Sequence, residues 1–356
     1  MMSSAATTQV NPGTAPPTAS GGRCKAWVAK GPKQPFVLET VDLGPLGAEE
    51  VEIAVENCGV CHSDLSVRNN EWGISQFPAV LGHEVIGRVT AIGPSAKGLT
   101  IGQRVGVGWN SGSCMHCRQC ISGSHNLCPQ VQPTIVGHRG GFASHMRSHW
   151  AWTFPVPENL ASADAGPLLC GGVTVFSPLA DYAKPTARVG IIGIGGLGHM
   201  AVKFAAAFGC EVTAFTSSES KFAEAKGFGA HRAFTSSDPE AISKLSGSFD
   251  LLISTVNTKL DWEKMIGMLG PHGRLHVVGV ALDPIPVSAF SLIMLHRSIS
   301  GSPVGSPATT QTMLDFAARH AILPQTEHFP MSKINDAFAR LESGKARYRL
   351  VLDADF

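Results

Sequence analysis

Charge is scarce in this sequence, and neither sign dominates. Only 15% of its 356 residues are Asp, Glu, Lys or Arg, and 28 basic against 27 acidic side chains leave a formal net charge of +1. Such a balance carries no electrostatic footprint for nucleic acid or for an anionic membrane surface. Long apolar runs are missing too: nothing approaches the roughly 18 consecutive apolar residues of a membrane span. The first 22 residues, MMSSAATTQVNPGTAPPTASGG, hold no charged side chain at all. They lack the basic start and the apolar run of about 7 to 15 residues that a secretory signal needs, and they lack the arginines of a transit peptide. Rich in Ser, Thr, Ala, Pro and Gly, residues 1–22 cannot bury enough apolar surface to order themselves, so a disordered tail is expected there. With nothing pointing to an oxidising compartment, a cytoplasmic location is expected, and clustered cysteines suit metal ligation better than disulfides. The cysteine count, nine, is also odd.

The length suggests two domains of roughly 150 residues each, and a 44% hydrophobic, glycine-rich composition supports well-buried α/β cores. No internal repeat is apparent. The densest chemistry lies in GSCMHCRQCISGSHNLC, residues 112–128, which places Cys114, Cys117, Cys120 and Cys128 around a tight loop. Gly112 and Gly123 are expected to supply the backbone freedom that folds it. Disulfides between neighbours at this spacing would be strained. Four thiolates converging on one tetrahedral ion make a closed site with no position left for water or substrate, and therefore a structural zinc. An iron–sulfur cluster and a metal-free reduced loop are the alternatives.

A second set is spread over three segments: NCGVCHSDL (57–65), VLGHEVIGRVTAIG (80–93) and PLLCGGVTVFSPL (167–179). Singly, Cys61 and Cys170 read as small buried hydrophobes and His83 as a core histidine. Together they form a two-cysteine, one-histidine set with one coordination position open, which lets zinc polarise a carbonyl oxygen.

A third segment, RVGIIGIGGLGHMAVKFAAAFG (188–209), is an apolar strand, a glycine turn and a helix. Gly193 would permit the tight turn, Gly195 a close approach of the backbone to a pyrophosphate, and Gly198 close packing of helix on sheet. The helix N-terminus would face the phosphates. The next strand, within EVTAFTSSESK (211–221), ends in Thr216, Ser217 and Ser218 with Lys221 just beyond. An NAD enzyme would place an Asp or Glu there, so an uncharged, hydroxyl-bearing pocket backed by a cation favours NADP(H); an ordinary polar turn is the bland reading. Strand-like runs at 249–256, 274–280 and 297–303 continue a doubly wound sheet.

Gly82, His83 and Glu84, followed at fixed spacing by Gly87 and Gly93, carry the glycine signature of the zinc-containing alcohol dehydrogenases. From about residue 23 onward the chain resembles the zinc-dependent medium-chain alcohol dehydrogenases, in the branch of cinnamyl alcohol dehydrogenases and bacterial NADPH-dependent aldehyde reductases. CGVCHSDL, PLLCGGVTVFSPL, VGIIGIGGLGHMAVKFA and KARYRLVLD carry the branch likeness. The resemblance implies an α/β fold with a GroES-like, β-rich catalytic domain at 23–176 and 308–356 enclosing a Rossmann domain at 177–307. Helical patterning at 309–322 and 334–344 would mark the return.

The resemblance also implies two zinc ions per chain and hydride transfer between NADP(H) and aromatic or medium-chain aldehydes. Ser63 would hand a proton to the forming alkoxide, although it could simply cap a helix. Asp64 would orient the ligands, Glu84 would be a neighbouring or transient ligand, and His62, Thr174, Gly196 and Leu197 would join the cofactor contacts. The branch usually has a histidine three residues after Ser63, where this chain has Ser66. Trp72, Trp109, Pro303 and Val304 would line an apolar substrate pocket, and a homodimer is expected. The competing readings are a polyol or sugar dehydrogenase and a catalytically silent zinc- and NADPH-binding protein.

Overall fold

The computed structural model describes residues 20–236 and 238–356. The expected tail falls outside them except for its last three residues, which are built into the protein. Ser20 donates through its backbone N–H and its hydroxyl to the buried Glu52 carboxylate, at 2.7 Å each. Gly22 accepts from the Leu43 N–H. The expectation of disorder up to residue 22 is corrected there: a buried carboxylate needs donors, and Ser20 supplies two.

The segment 188–301 forms a six-stranded sheet in which every neighbouring pair is parallel. Its spatial order is Arg232–Thr235, Glu211–Thr216, Arg188–Ile192, Phe249–Ser254, Leu269–Val277 and Ser298–Gly301. Numbered along the chain this is 3-2-1-4-5-6, the doubly wound order, with its switch point between Arg188–Ile192 and Phe249–Ser254. The strands at 249–256, 274–280 and 297–303 expected from sequence are all present. Strand Arg188–Ile192 is apolar because a parallel strand is covered on both faces; Val189, Ile191 and Ile192 are 0%, 0% and 1% exposed.

Most of the remaining chain builds an antiparallel-rich sheet around the long strand Glu50–Val60, which pairs with Val85–Ile92, His145–His149 and the C-terminal strand Arg349–Asp353. The last pairing sets Leu350 opposite Val60 and Asp353 opposite Asn57, so the C-terminal strand closes onto the long strand that leads to Cys61. Helix Pro307–Arg319 starts at Ser306, whose hydroxyl accepts from the Thr309 N–H, with Pro307 in the first turn. Helix Gly171–Tyr182 contains the border expected at residue 176. Its Phe176 ring contacts Phe204 and Phe208 of the part built on the six-stranded sheet and Phe316 of the returning helix, so one core runs through both parts. Among the described residues no helix is long and apolar enough to cross a membrane.

His328, on strand Thr326–Pro330, reinforces the return. Its Nδ1 lies 2.9 Å from Asp353 and its Nε2 lies 3.1 Å from Asp164. Burial opposes its charge, but hydrogen bonds to the two carboxylates outweigh this and hold the imidazole above its ordinary value. A raised folded-state value means stability that is fully present below about pH 6.5 and is lost as pH rises through the folded value. His328→Gln should therefore lower stability in denaturant titrations at pH 6, by about 1 kcal/mol at most for a partly exposed, screened group. At pH 9 the variant and the native protein should match; a loss that is equal at both pH values would contradict the charge argument.

Candidate metal and cofactor site

Helix His62–Asn69 begins at Cys61, and the third helical residue, Asp64, turns its carboxylate back into the protein. One oxygen accepts from the Cys61 N–H at 3.0 Å. The other accepts from the Gly82 N–H and from His83 Nδ1, both at 3.0 Å. This orients the His83 ring: Nδ1 donates to Asp64, and Nε2 faces inward toward the cysteines. Nε2 lies 3.2 Å from Cys170 Sγ, which is 3.9 Å from Cys61 Sγ. A carboxylate oxygen of Glu84 completes the group, all four donor atoms lying within 4.8 Å of one another and all four residues buried. Asp64 thus orients groups from two segments, the helix start at Cys61 and the turn at Gly82–His83, and Ser63 is not the helix cap.

A cation fits this donor set. Two thiols, an imidazole nitrogen and a carboxylate converge in a buried space, and Glu84 Oε2 has no hydrogen-bond partner there among the described residues. The other Glu84 oxygen pairs with Arg349, which is 4% exposed. Burial pushes the Glu84 carboxyl up to about 7, against the pull of Arg349.

The four-cysteine loop is equally well shaped. Sγ–Sγ separations of 3.5, 3.8 and 3.9 Å link Cys128 with Cys114, Cys117 with Cys128, and Cys114 with Cys120. A tetrahedral zinc with bonds of about 2.3 Å requires edges of about 3.8 Å. The loop turns at Gly123, with φ +85°, and at Met115, with φ +62°. Gly112, expected to supply freedom, lies instead in strand Asn110–Gly112 with ordinary backbone angles.

Between the two parts runs a cleft of about 660 Å³. Its walls include Cys61, His62 and Ser63, the turn residues Gly193, Gly195, Gly196 and Leu197, and Thr216, Ser217 and Lys221. Gly193 has φ +91°, and a Cβ on Gly198 would stand 1.8 Å from the Gly193 carbonyl oxygen, so only glycine lets turn and helix close. Nothing stands within 4 Å of a Cβ built on Gly195, whose open side faces the cleft. Thr255, unremarked in the sequence, donates to the Ile192 and Gly193 carbonyls at 3.0 and 2.8 Å.

Several expected residues stand elsewhere. Ser218 is not on the cleft wall; its hydroxyl accepts from the Ser220 N–H and caps a short turn. Ser236 lines the cleft beside Thr216, whose carbonyl accepts from its N–H and hydroxyl, because strand Arg232–Thr235 lies next to Glu211–Thr216. Thr174 is buried one helical turn beyond Cys170, whose carbonyl it meets through its backbone N–H. Trp72 lines the cleft, and Trp109 packs edge-on to both His83 and Trp72. Pro303 and Val304 do not line it: Val304 packs on the shared core, and its carbonyl accepts from Asn126 at 2.7 Å. At the position where a histidine was missed, Ser66 donates to the Glu71 carboxylate at 2.7 Å. Asn257 reaches His62, 3.4 Å apart.

Residues 47–158 match the alcohol dehydrogenase GroES-like domain, and residues 196–319 match the zinc-binding dehydrogenase family. The chain is 55% identical to the aldehyde reductase AdhA of a Synechocystis strain, over 91% of this chain and 96% of that one. A cinnamyl alcohol dehydrogenase of Sorghum bicolor superposes with a TM-score of 0.89 at 37% identity, covering 93% of this chain and 97% of the other. The corresponding enzyme of Helicobacter pylori, solved in complex with NADP(H), superposes with a TM-score of 0.86 at 30% identity, over 93% and 98%.

The two ligand sets should separate on mutation. Cys170→Ser should remove one zinc equivalent by elemental analysis while the protein stays folded. Cys117→Ser should lower thermal stability first, since a closed structural site contributes to folding directly. Equal loss of fold in both variants would contradict this division.

Proposed function

We propose, for a chain that belongs to the zinc-dependent medium-chain alcohol dehydrogenases and within them to the branch of cinnamyl alcohol dehydrogenases and bacterial aldehyde reductases, that it interconverts aldehydes and primary alcohols with NADP(H). The observation that carries this reading is the meeting of Cys61, His83 and Cys170 at a cleft that also holds the glycine turn. When bound, zinc at that set supplies a Lewis acid for the carbonyl, and NADPH supplies the hydride.

The chain's own residues do the rest. Ser63 holds a proton at Oγ, 3.8 Å from Cys61 Sγ at the cleft wall. Trp72 and Trp109 give the substrate end an apolar, aromatic-tolerant lining. His62, with Asn257, lines the same cleft as the glycine turn and would contact the cofactor diphosphate. At the adenosine end Ser217, Ser236 and Lys221 line the wall without a carboxylate, which suits a 2′-phosphate.

The division into a catalytic part, 23–176 with 308–356, and a nucleotide part, 177–307, accompanies this reading. A homodimer does as well: Phe290, Ile293 and Met294 are 70%, 73% and 60% exposed beside the edge strand Ser298–Gly301, an apolar surface that a second copy would cover. A reducing, cytoplasmic setting accords with nine unpaired cysteines.

An NADPH-oxidation assay over aromatic aldehydes, aliphatic aldehydes and sugars, with and without a chelator, tests the activity. Turnover of aromatic aldehydes that the chelator abolishes is expected; turnover confined to sugars would contradict the reading. Ser63→Ala should reduce turnover roughly 10²-fold or more at unchanged zinc content, and full activity would remove Ser63 from the proton path.

Cofactor choice has its own test. Hydrogen bonds to a charged phosphate contribute about 1.5 to 3 kcal/mol each, so two would favour NADPH over NADH by about 10² or more in kcat/KM. Lys221→Ala should weaken NADPH alone, and Ser217→Asp should shift preference toward NADH. A native enzyme using both cofactors equally would contradict the assignment of this end of the cleft.

A further inference from the structure

His199 is the second residue of helix Gly198–Ala207, and nothing in the reaction requires it. It is nevertheless fully buried and held at both ring nitrogens. Nδ1 lies 3.0 Å from the Gly195 carbonyl oxygen. Nε2 lies 3.1 Å from the backbone N–H of Gln325, in the returning segment of the catalytic part. The ring stacks on Tyr348 at 5.0 Å between centroids, one residue before Arg349.

These contacts settle the tautomer. A backbone N–H can only donate, so Nε2 must be the acceptor, and the one proton of the neutral ring sits on Nδ1 and points at Gly195. Burial lowers the imidazole to about 3, with Lys203 and Arg349 pushing the same way, so the ring stays neutral in the working range.

The Gly195 carbonyl therefore receives two donors from the helix side, His199 Nδ1 and the His199 backbone N–H at 3.1 Å. In a trans peptide the carbonyl and the next N–H point in opposite directions. Holding Gly195 by its carbonyl thus sets the Gly196 N–H, in a turn whose Gly195, Gly196 and Leu197 all line the cleft. Arg349 stands on the other side of that turn: a Cβ on Gly196 would come 2.9 Å from its guanidinium. Oriented backbone N–H groups beside a cation form an anion cradle.

We propose that His199 is a positioning residue for the cofactor's pyrophosphate. It locks the Gly195–Gly196 peptide and ties that peptide to Gln325 of the catalytic part. The proposal rests on the cleft taking a nicotinamide dinucleotide, but not on which one. NADH and NADPH share the pyrophosphate, so a change at His199 should weaken both by the same factor.

The test is cofactor affinity by fluorescence titration of the zinc-loaded protein, with NADPH and with NADH, without substrate. Asn places an amide nitrogen where Nδ1 stood, and Gln places an amide group where Nε2 stood. His199→Gln should weaken both cofactors about tenfold, as for loss of a positioned hydrogen bond of about 1.4 kcal/mol. His199→Asn, which keeps the donor to Gly195, should bind within about threefold of the native protein, roughly half that difference on the same scale. Both variants lose the ring, so a packing role alone would weaken them equally and overturn the proposal.

Should either variant fail to fold, the imidazole nitrogen resonances of native His199 decide. An Nδ1–H tautomer unchanged between pH 5 and 9 supports the proposal, and an Nε2–H tautomer overturns it. Native protein that prefers NADH contradicts the 2′-phosphate reading while leaving His199 tested on NADH. Native protein that binds neither dinucleotide overturns both.

Discussion

Everything at the centre of this molecule depends on Arg349 being carried into it. Strand Arg349–Asp353 pairs antiparallel with Glu50–Val60, and that pairing closes the end of the chain against the strand leading to Cys61. The guanidinium is then buried between Glu84, beside Cys61, His83 and Cys170, and Gly196, in the glycine turn. A buried charge of this kind is tolerated only with a partner, and removing one member of such a pair costs about 3 to 5 kcal/mol. The ion pair is thus a registration device: the Cys61, His83, Glu84 and Cys170 cluster, the glycine turn and the C-terminal strand must be in place together for it to be satisfied.

Asp64 plays the corresponding part on a smaller scale. Three donors from two segments meet its carboxylate in a fully buried position, and each fixes a different feature: the start of the helix after Cys61, the Gly82 turn and the His83 ring. The ligand geometry is therefore prepared by protein hydrogen bonds. The four-cysteine loop has no such carboxylate; its backbone N–H groups approach the sulfurs instead, Cys117 to Cys114 and Gln130 to Cys128, both at 3.3 Å. A closed site needs shape alone, whereas an open one also needs the tautomer and aim of its histidine.

The cleft lies where physical chemistry places such sites, at the switch point of a parallel sheet and against a second body of structure. Phe176, Phe204, Phe208 and Phe316 hold the two bodies on one core, and His199 and Arg349 add polar links across the same boundary. Position at the boundary is thus set by apolar packing and refined by a few directional contacts. Apolar burial has no direction of its own, while a hydrogen bond does.

Features written in neighbouring residues could be read before folding is considered. The strand, turn and helix at 188–209 were legible because 3.6-residue and alternating patterns, with glycine at obligatory positions, are properties of neighbouring residues. The four cysteines were legible for the same reason, and Cys61, His83 and Cys170 through flanking motifs. Features that depend on strand order or on distant pairing emerge when the chain is folded. Ser236 reaches the cleft because its strand lies beside Glu211–Thr216, and Ser218 leaves it because a local cap claims its hydroxyl. Val304 turns to the core, and Ser66 finds Glu71 where a histidine was missed. Arg349 could have drawn notice as a charge opening an apolar strand, but its partners lie 265 and 153 residues away in sequence. Contacts at that separation leave no periodicity to read, because side-chain direction is fixed locally whereas its partner is chosen by the packing of the whole chain.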